Sequence, residues 1–321
     1  MSIRATYWLL IAGVLAASVL LREKDPDFIA RLRLLGFDLL QQTKPRTVNP
    51  DYPVRIIDID EPSITAFGSW PWRRDVLANL IDQLFAAGVR VVAFDMVFPD
   101  ATPSALDQLP KLLRDAPELK PLIDKYAQEL SPDNVMADSL RGRPVVLGII
   151  GTARPAEFTS QVKASFATIG ENALAFVHGF AGASGNTPIF ARAAVGIGAL
   201  NWFPDRDQIL RRIPLIVSIS GQLYPSLVAE TLRVLVGAKT FRVRTAGDGG
   251  FAGDRGITTV GIGDAIVPTD ADGQLWLHFS RHDPNRSISA ADVLRGTVSP
   301  SRLEGRIAII GTSAPGLLDL R

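Results

Sequence analysis

Apolar positions along this chain fall into one long uncharged block, one striped segment and a series of short runs. Ala5 to Leu21 (ATYWLLIAGVLAASVLL) carries no charge, and as a helix it reaches about 25 Å, the short end of what spans a bilayer. We read residues 1–21 as a membrane anchor. Arg4 precedes the block and Arg22 and Lys24 follow it, so flanking charge alone does not fix its orientation. Two readings compete: a cleaved signal peptide with Ala16-Ala17-Ser18 at the cleavage site, and a buried helix of a soluble protein.

Beyond the block, Asp25-Pro26 predicts an N-cap with proline at the first helical position. Phe28, Leu32, Leu35 and Leu39 then recur at spacings of four and three, with Arg31 and Arg33 off the stripe, until Thr43-Lys44-Pro45 ends the pattern. This predicts an amphipathic stalk helix over 22–44. Its stripe suits pairing with a second copy and equally suits packing on its own domain.

The body alternates strand-like and helix-like patterns. Val54 to Ile59 reads as a buried strand. Val76, Leu77, Leu80, Ile81, Leu84 and Phe85 give a one-sided helix stopped by Gly88, and Val89 to Phe94 is a second strand. Strand, helix and strand together predict a parallel crossover unit. Pro99 to Arg143 reads as a polar helical insertion cut by prolines, its last piece starting at Ser131-Pro132-Asp133. Pro144 to Gly151 returns to strand. Gly196 to Phe203 and Arg212 to Ser220, joined by Pro204-Asp205-Arg206-Asp207, predict an antiparallel hairpin, followed by a helix from Pro225 to Val236 closed by Gly237. After the loop-like Gly247 to Gly256, Ala265–Val267 and Gln274–Phe279 flank the turn Thr269-Asp270-Ala271-Asp272-Gly273 in a predicted second hairpin. Ser289 is expected to cap a short helix to Leu294, and Arg306 to Ile310 is a final buried strand. The fold class is α/β: over 52–321, a single domain with a mixed, partly parallel sheet plus β-hairpins, behind the anchor and the stalk.

Composition narrows the function classes. With 47% apolar and 21% charged residues, the chain can bury a substantial core. Lys plus Arg (34) balance Asp plus Glu (33), and no run of like charge marks a nucleic-acid partner. Cysteine is absent, which removes disulfides, thiolate nucleophiles and Cys-ligated zinc.

Candidate chemistry concentrates in "IIDIDEPSITAFGSWPWRRD". Asp58, Asp60 and Asp95 fall at or next to the carboxyl ends of the two predicted parallel strands, where an open α/β sheet places its ligand crevice. Such carboxylates can hold Mg²⁺, which would make the protein a metal-dependent hydrolase. The competing reading has Asp60 capping the turn at Glu61-Pro62, and Asp95 and Asp58 satisfying loop and strand-edge donors. Trp72 and Arg73, with Trp70 and Arg74, form a possible rim for a carboxylate or aromatic ligand, unless the tryptophans only pin the helix to the sheet. Gly311-Thr312-Ser313-Ala314-Pro315-Gly316 fails as a phosphate loop, because Leu317 stands where lysine is required, and it fails as a nucleophile elbow at Pro315. No spacing supports a triad around His178, His278 or His282. We expect no catalytic set and no cofactor.

The stretches "VRIIDIDEPSITAFGSWPWRRDVLANLIDQLFAAGVRVVAFDMVF", "GALNWFPDRDQILRRIPL", "LYPSLVAE", "IVPTDADGQLWLHF", "ISAADVLRG" and "GRIAIIGTSAPGLLDL" resemble, in order, the type-two CHASE domain. The least ambiguous motifs are I-D-E-x-S with W-P-W-x-R, then F-D-x-x-F and the closing I-G-T-S-A. The resemblance implies a sensor domain outside the cytosol, in the periplasm, held at the inner membrane by an N-terminal helix and responding to a small molecule or a physical stimulus. It further implies membrane helices and an output domain beyond Arg321: an adenylate or guanylate cyclase first, a histidine kinase or a serine/threonine kinase second. A homodimer through the stalk and membrane helices is expected. Ligand-binding expectations rest on Asp58, Asp60, Trp72, Arg73 and Asp95.

Overall fold

Two segments that the sequence leaves far apart pair side by side within the central sheet: Val54–Ile59 and Ile307–Thr312. The computed structural model describes residues 3–24, 26–47, 49, 51–102, 118–119, 121–122, 125–126, 131–156, 161–246 and 255–314. They form two compact units.

The smaller unit holds helices α1 (Ile3–Lys24) and α2 (Asp27–Thr43) with the segment His278–His282. In α1 the side chains are described from Tyr7 to Val19, and Tyr7, Trp8, Leu10, Val14 and Leu15 are all exposed. Among the described residues no helix is long and apolar enough to cross a membrane. Helix α2 begins one residue later than expected, with Pro26 in the N-cap position and without a side-chain cap; Asp25 lies outside the described residues. None of its residues is buried. Its C-terminal end is tied down within the unit: Gln41 accepts from the Phe279 backbone N–H, Lys44 C=O from His278 Nε2, and Phe279 C=O from the Arg46 N–H.

The larger unit is built on β1 (Val54–Ile59), α3 (Glu61–Phe67), α4 (Arg74–Ala86), β2 (Val91–Phe94), α5 (Pro132–Leu140) and β3 (Val145–Thr152). It continues through β4 (Ser165–Ile169), β5 (Gly179–Phe180), β6 (Gly182–Ser184), α6 (Pro188–Ala193) and β7 (Gly196–Ala199). Then come β8 (Arg212–Pro214), β9 (Ile216–Ile219), β10 (Gln222–Pro225), α7 (Leu227–Leu235), β11 (Thr240–Ala246) and β12 (Gly256–Ile262). The described chain closes with β13 (Ala265–Pro268), β14 (Gln274–Trp276), β15 (Ser287–Ser289), α8 (Ala290–Leu294) and β16 (Ile307–Thr312).

Strands β15-β1-β16-β2-β3-β7 lie parallel in that order, and β6 adds antiparallel to the far end of β3. The expected crossover from β1 to β2 is present with parallel strands, but β16 from the end of the chain is inserted between them. Leu77, Leu80, Ile81 and Leu84 of α4 are fully buried against Ile57, Ile59, Val92 and Phe94, each burial contributing about 2 kcal/mol. On the other face α7 sends Leu227 onto Val91, Ala93 and Val146. The same helix turns Ala229 towards Phe241 and Val260 of the four-stranded sheet β13-β12-β11-β4, so it is shared by two cores. Gly198 permits the approach: a Cβ there would lie 2.6 Å from Leu227 Cα.

Several expectations require correction. The hairpin over 196–220 does not form: β7 pairs parallel with β3, while β8 pairs with β14. The second predicted hairpin fails likewise, since β13 pairs with β12 and β14 with β8. The hairpins present are β9–β10, turning at Ser220 (φ 50°) and Gly221 (φ 76°), with β11–β12 and β12–β13. Helix α5 is no polar decoration, because Met136, Ala137 and Leu140 are fully buried in the core with α4. Strand β1 is buried on one face only, Ile56 being 45% exposed on the other. Most of the expected loop from 247 to 256 lies outside the described residues.

Candidate functional site

The least ambiguous sequence motifs meet at one edge. β1, β16 and β2 are neighbours, so the segments that follow them (Asp58 to Ser63, Thr312 to Ala314, Asp95 to Phe98) converge at the carboxyl end of the sheet. Asp60 is the N-cap of α3, and its Oδ1 accepts from the Ser63 N–H at 3.0 Å, from the Ser63 hydroxyl and from the Ser289 hydroxyl at 2.9 Å. Ser63 Oγ in turn accepts from the Ala291 N–H at 3.0 Å. Ser289 holds the N-cap position of α8 without capping it by its side chain; the hydroxyl of Ser63, from a distant helix, supplies that bond instead. Asp58 Oδ2 accepts from Ser313 Oγ at 2.7 Å. The Asp95 backbone N–H donates to Ile310 C=O, and its side chain is exposed.

Asp60 therefore joins the end of β1 to the starts of α3 and α8, and Asp58 joins β1 to the segment after β16. Among the described residues, no group of three or more His, Cys, Asp or Glu is placed to hold a metal ion.

Around the tryptophan-rich turn, Trp72 is 3% exposed, packs in the core and donates from Nε1 to Gly68 C=O at 2.9 Å. Arg73 is exposed and paired with Asp75, whose hydrogen bond and charge raise the guanidinium above its ordinary value. Arg74, not its neighbour, turns inward. Its guanidinium lies 4.6 Å from the centre of the Phe98 ring and 3.8 Å from Asp133, and burial pushes its pKa down against the pull of Asp133 and Asp100. The W-P-W-x-R motif thus carries its buried cation at Arg74, which braces α4 against α5.

A second arginine cluster holds the loop before β8. Arg211, 1% exposed, pairs with Asp205 and Asp207, and Arg212 pairs with Asp205 and Asp270. Asp270 also accepts from the Asp272 and Gln274 N–H groups. One carboxylate thereby fixes the turn 270–274, with Gly273 at φ 75°.

That turn lines a half-enclosed cavity of about 460 Å³, within the usual range of ligand sites. Phe176, His178, Phe203, Ile216, Asp272 and Gln274 surround it. The His178 ring is 4.1 Å from Phe203 and 5.0 Å from Phe180, centre to centre. Gln274 Oε1 is buried without a hydrogen-bond partner. Sequence reasoning passed over these positions: they come from four separate segments, and His178 gave no local pattern.

The fold and both polar clusters account for nearly all the motifs singled out in the sequence. The family model of the CHASE2 domain matches residues 9–321. No curated protein and no solved structure matches the chain. CHASE2 is an extracytoplasmic sensory domain of signalling receptors and not a catalytic one. A chain matched over that span belongs to the CHASE2 domain family.

Proposed function

We propose that this chain is the receiver of a membrane-bound signalling receptor: residues 1–21 anchor it in the inner membrane, 22–44 form a stalk, and 52–321 sense a small molecule or a physical stimulus in the periplasm. The signal passes through membrane helices to an output enzyme beyond Arg321, a nucleotide cyclase in first place and a histidine or serine/threonine kinase in second. The observation that carries the reading is the family match over 9–321. What supports the anchor is the uncharged stretch Ala5–Leu21, about 25 Å as a helix, within the helix Ile3–Lys24. A stimulus acts by favouring one of two arrangements of the receptor, so its effect equals its difference in affinity between them.

Reporter fusions after residue 321 test the topology in living bacteria. Alkaline phosphatase is expected to be active there, and a reporter that requires the cytosol silent. The reverse pattern overturns the reading.

A further inference from the structure

We propose that Arg55, Arg286, Arg302 and Arg306, gathered at the amino end of the central sheet, form a binding site for a phosphate group, free or carried on a lipid head. The proposal deepens the sensor reading by naming a ligand class, and only the ligand's role as a stimulus rests on that reading.

Strands β15, β1 and β16 are parallel neighbours, so their first residues come out side by side. Arg286 directly precedes β15, Arg55 is the second residue of β1, Arg306 directly precedes β16, and Arg302 closes the turn before it. Tyr52 ties three of them together. Its C=O accepts from Arg55 at 2.7 Å and from Arg306 at 3.2 Å, and the Arg286 guanidinium lies 4.4 Å from the centre of its ring. Arg302 donates to the Asn285 and Ser287 C=O groups, on either side of Arg286 in the chain. These carbonyls hold the guanidiniums in place without cancelling their charge. Two carboxylates face the four cations: Asp283 lies 3.8 Å from Arg286, and Asp51, 85% exposed, lies 3.8 Å from Arg306, where solvent screens it. Glu304 lays its stem against Gly88 instead. Arg302 is exposed and pairs with no acid among the described residues. Positive charge is therefore in excess. Burial, then the charges of Arg306, Arg302 and Arg286, push the Arg55 guanidinium below its ordinary value, with Asp283 alone opposing them. An oxyanion held by Arg302 and the part-exposed Arg286 relieves this repulsion, and guanidinium forks match phosphate oxygens in pairs.

Calorimetric titration of the full 321-residue chain with inorganic phosphate, in micelles of an uncharged detergent and at constant ionic strength, tests this against acetate. Phosphate is expected to bind saturably, with acetate at least about tenfold weaker. Arg302→Gln is expected to weaken phosphate by about tenfold, while leaving the thermal midpoint of the free protein unchanged or raised, because it takes one cation out of a crowded cluster. Arg286→Gln is expected to weaken it likewise, and Arg244→Gln, exposed on β11, to leave it unchanged. Nanodiscs identify the source. Phosphate binding kept in discs containing phosphatidylglycerol supports a free phosphate as the ligand; binding lost there and kept in phosphatidylcholine discs supports an anionic lipid head. Heat that does not saturate with phosphate, in micelles and in phosphatidylcholine discs alike, overturns the proposal, as does equal affinity for acetate or full affinity in both Arg302→Gln and Arg286→Gln. The topology fusions read out independently: phosphate binding can fail while they place the domain outside the cytosol, and the converse.

Discussion

At the residue scale, a carboxylate that the sequence presents as a ligand candidate is held by structural work. Asp60 Oδ1 is the common acceptor for Ser63 and Ser289, and Ser63 then satisfies the Ala291 N–H. The first of these bonds was legible as an N-cap next to Pro62; those from Ser289 to Asp60 and from Ala291 to Ser63 were not, because they form only when β15 pairs with β1. Asp60→Ala removes a cap and the shared acceptor of two hydroxyls that lie 3.1 Å apart, and is expected to lower unfolding free energy by about 2 kcal/mol. Asp60→Asn, which keeps an acceptor oxygen, is expected to lose less than half of that. Denaturant unfolding at constant slope measures both, and an unchanged midpoint for Asp60→Ala refutes the network's role. The same scale separates Arg73 from Arg74: both are arginines at a helix start, and only packing against Phe98 and Phe190 shows which is buried.

At the element scale, sequence pattern located strands better than it chose their partners. The turn Pro204-Asp205-Arg206-Asp207 looked like a hairpin tip, yet its acids bind Arg211 and Arg212 and the flanking strands go to different sheets. Composition reveals that a segment turns, whereas pairing depends on segments far away in the chain. The loop carries a pH signature. The Arg211 hydrogen bond is the leading cause that holds the Asp207 carboxyl at about 2, below its ordinary 3.8. A depressed carboxyl contributes stability in full above the unfolded value, and that contribution fades as pH falls from about 3.8 towards about 2. Hydrogen exchange at the Ile209 amide, which donates to Asp207, is expected to show reduced protection, corrected for intrinsic rate, as pH drops through that window. In Asp207→Asn the decline should be absent, and an equal decline in the variant would assign it to another group.

At the scale of the whole molecule, the exposed stripe of α2 is the feature that a receptor would use. Phe28, Leu32, Leu35 and Leu39 are 65%, 53%, 63% and 62% exposed, and their spacing of four, three and four matches a coiled-coil seam. The chain has no native cysteine, so single cysteines placed along α2 report without background. Cysteines at Phe28, Leu32, Leu35 and Leu39 are expected to crosslink between copies in membranes, and those at Ala30 and Arg33 are not. Crosslinking without that periodicity would refute a paired stalk. By itself the sequence determined the apolar N-terminal block, the striped helix, the parallel β1 and β2 with α4 between them, and the family motifs, because helix stripes, strand runs and caps are written in spacings of a few residues. Tertiary structure alone decided that β16 enters between β1 and β2, that Arg74 is the buried cation, that Asp60 also holds Ser289 at the start of α8, and that Phe176, Phe203 and Gln274 share a cavity. Those outcomes depend on contacts between segments up to hundreds of residues apart, which only the packing of the finished core selects.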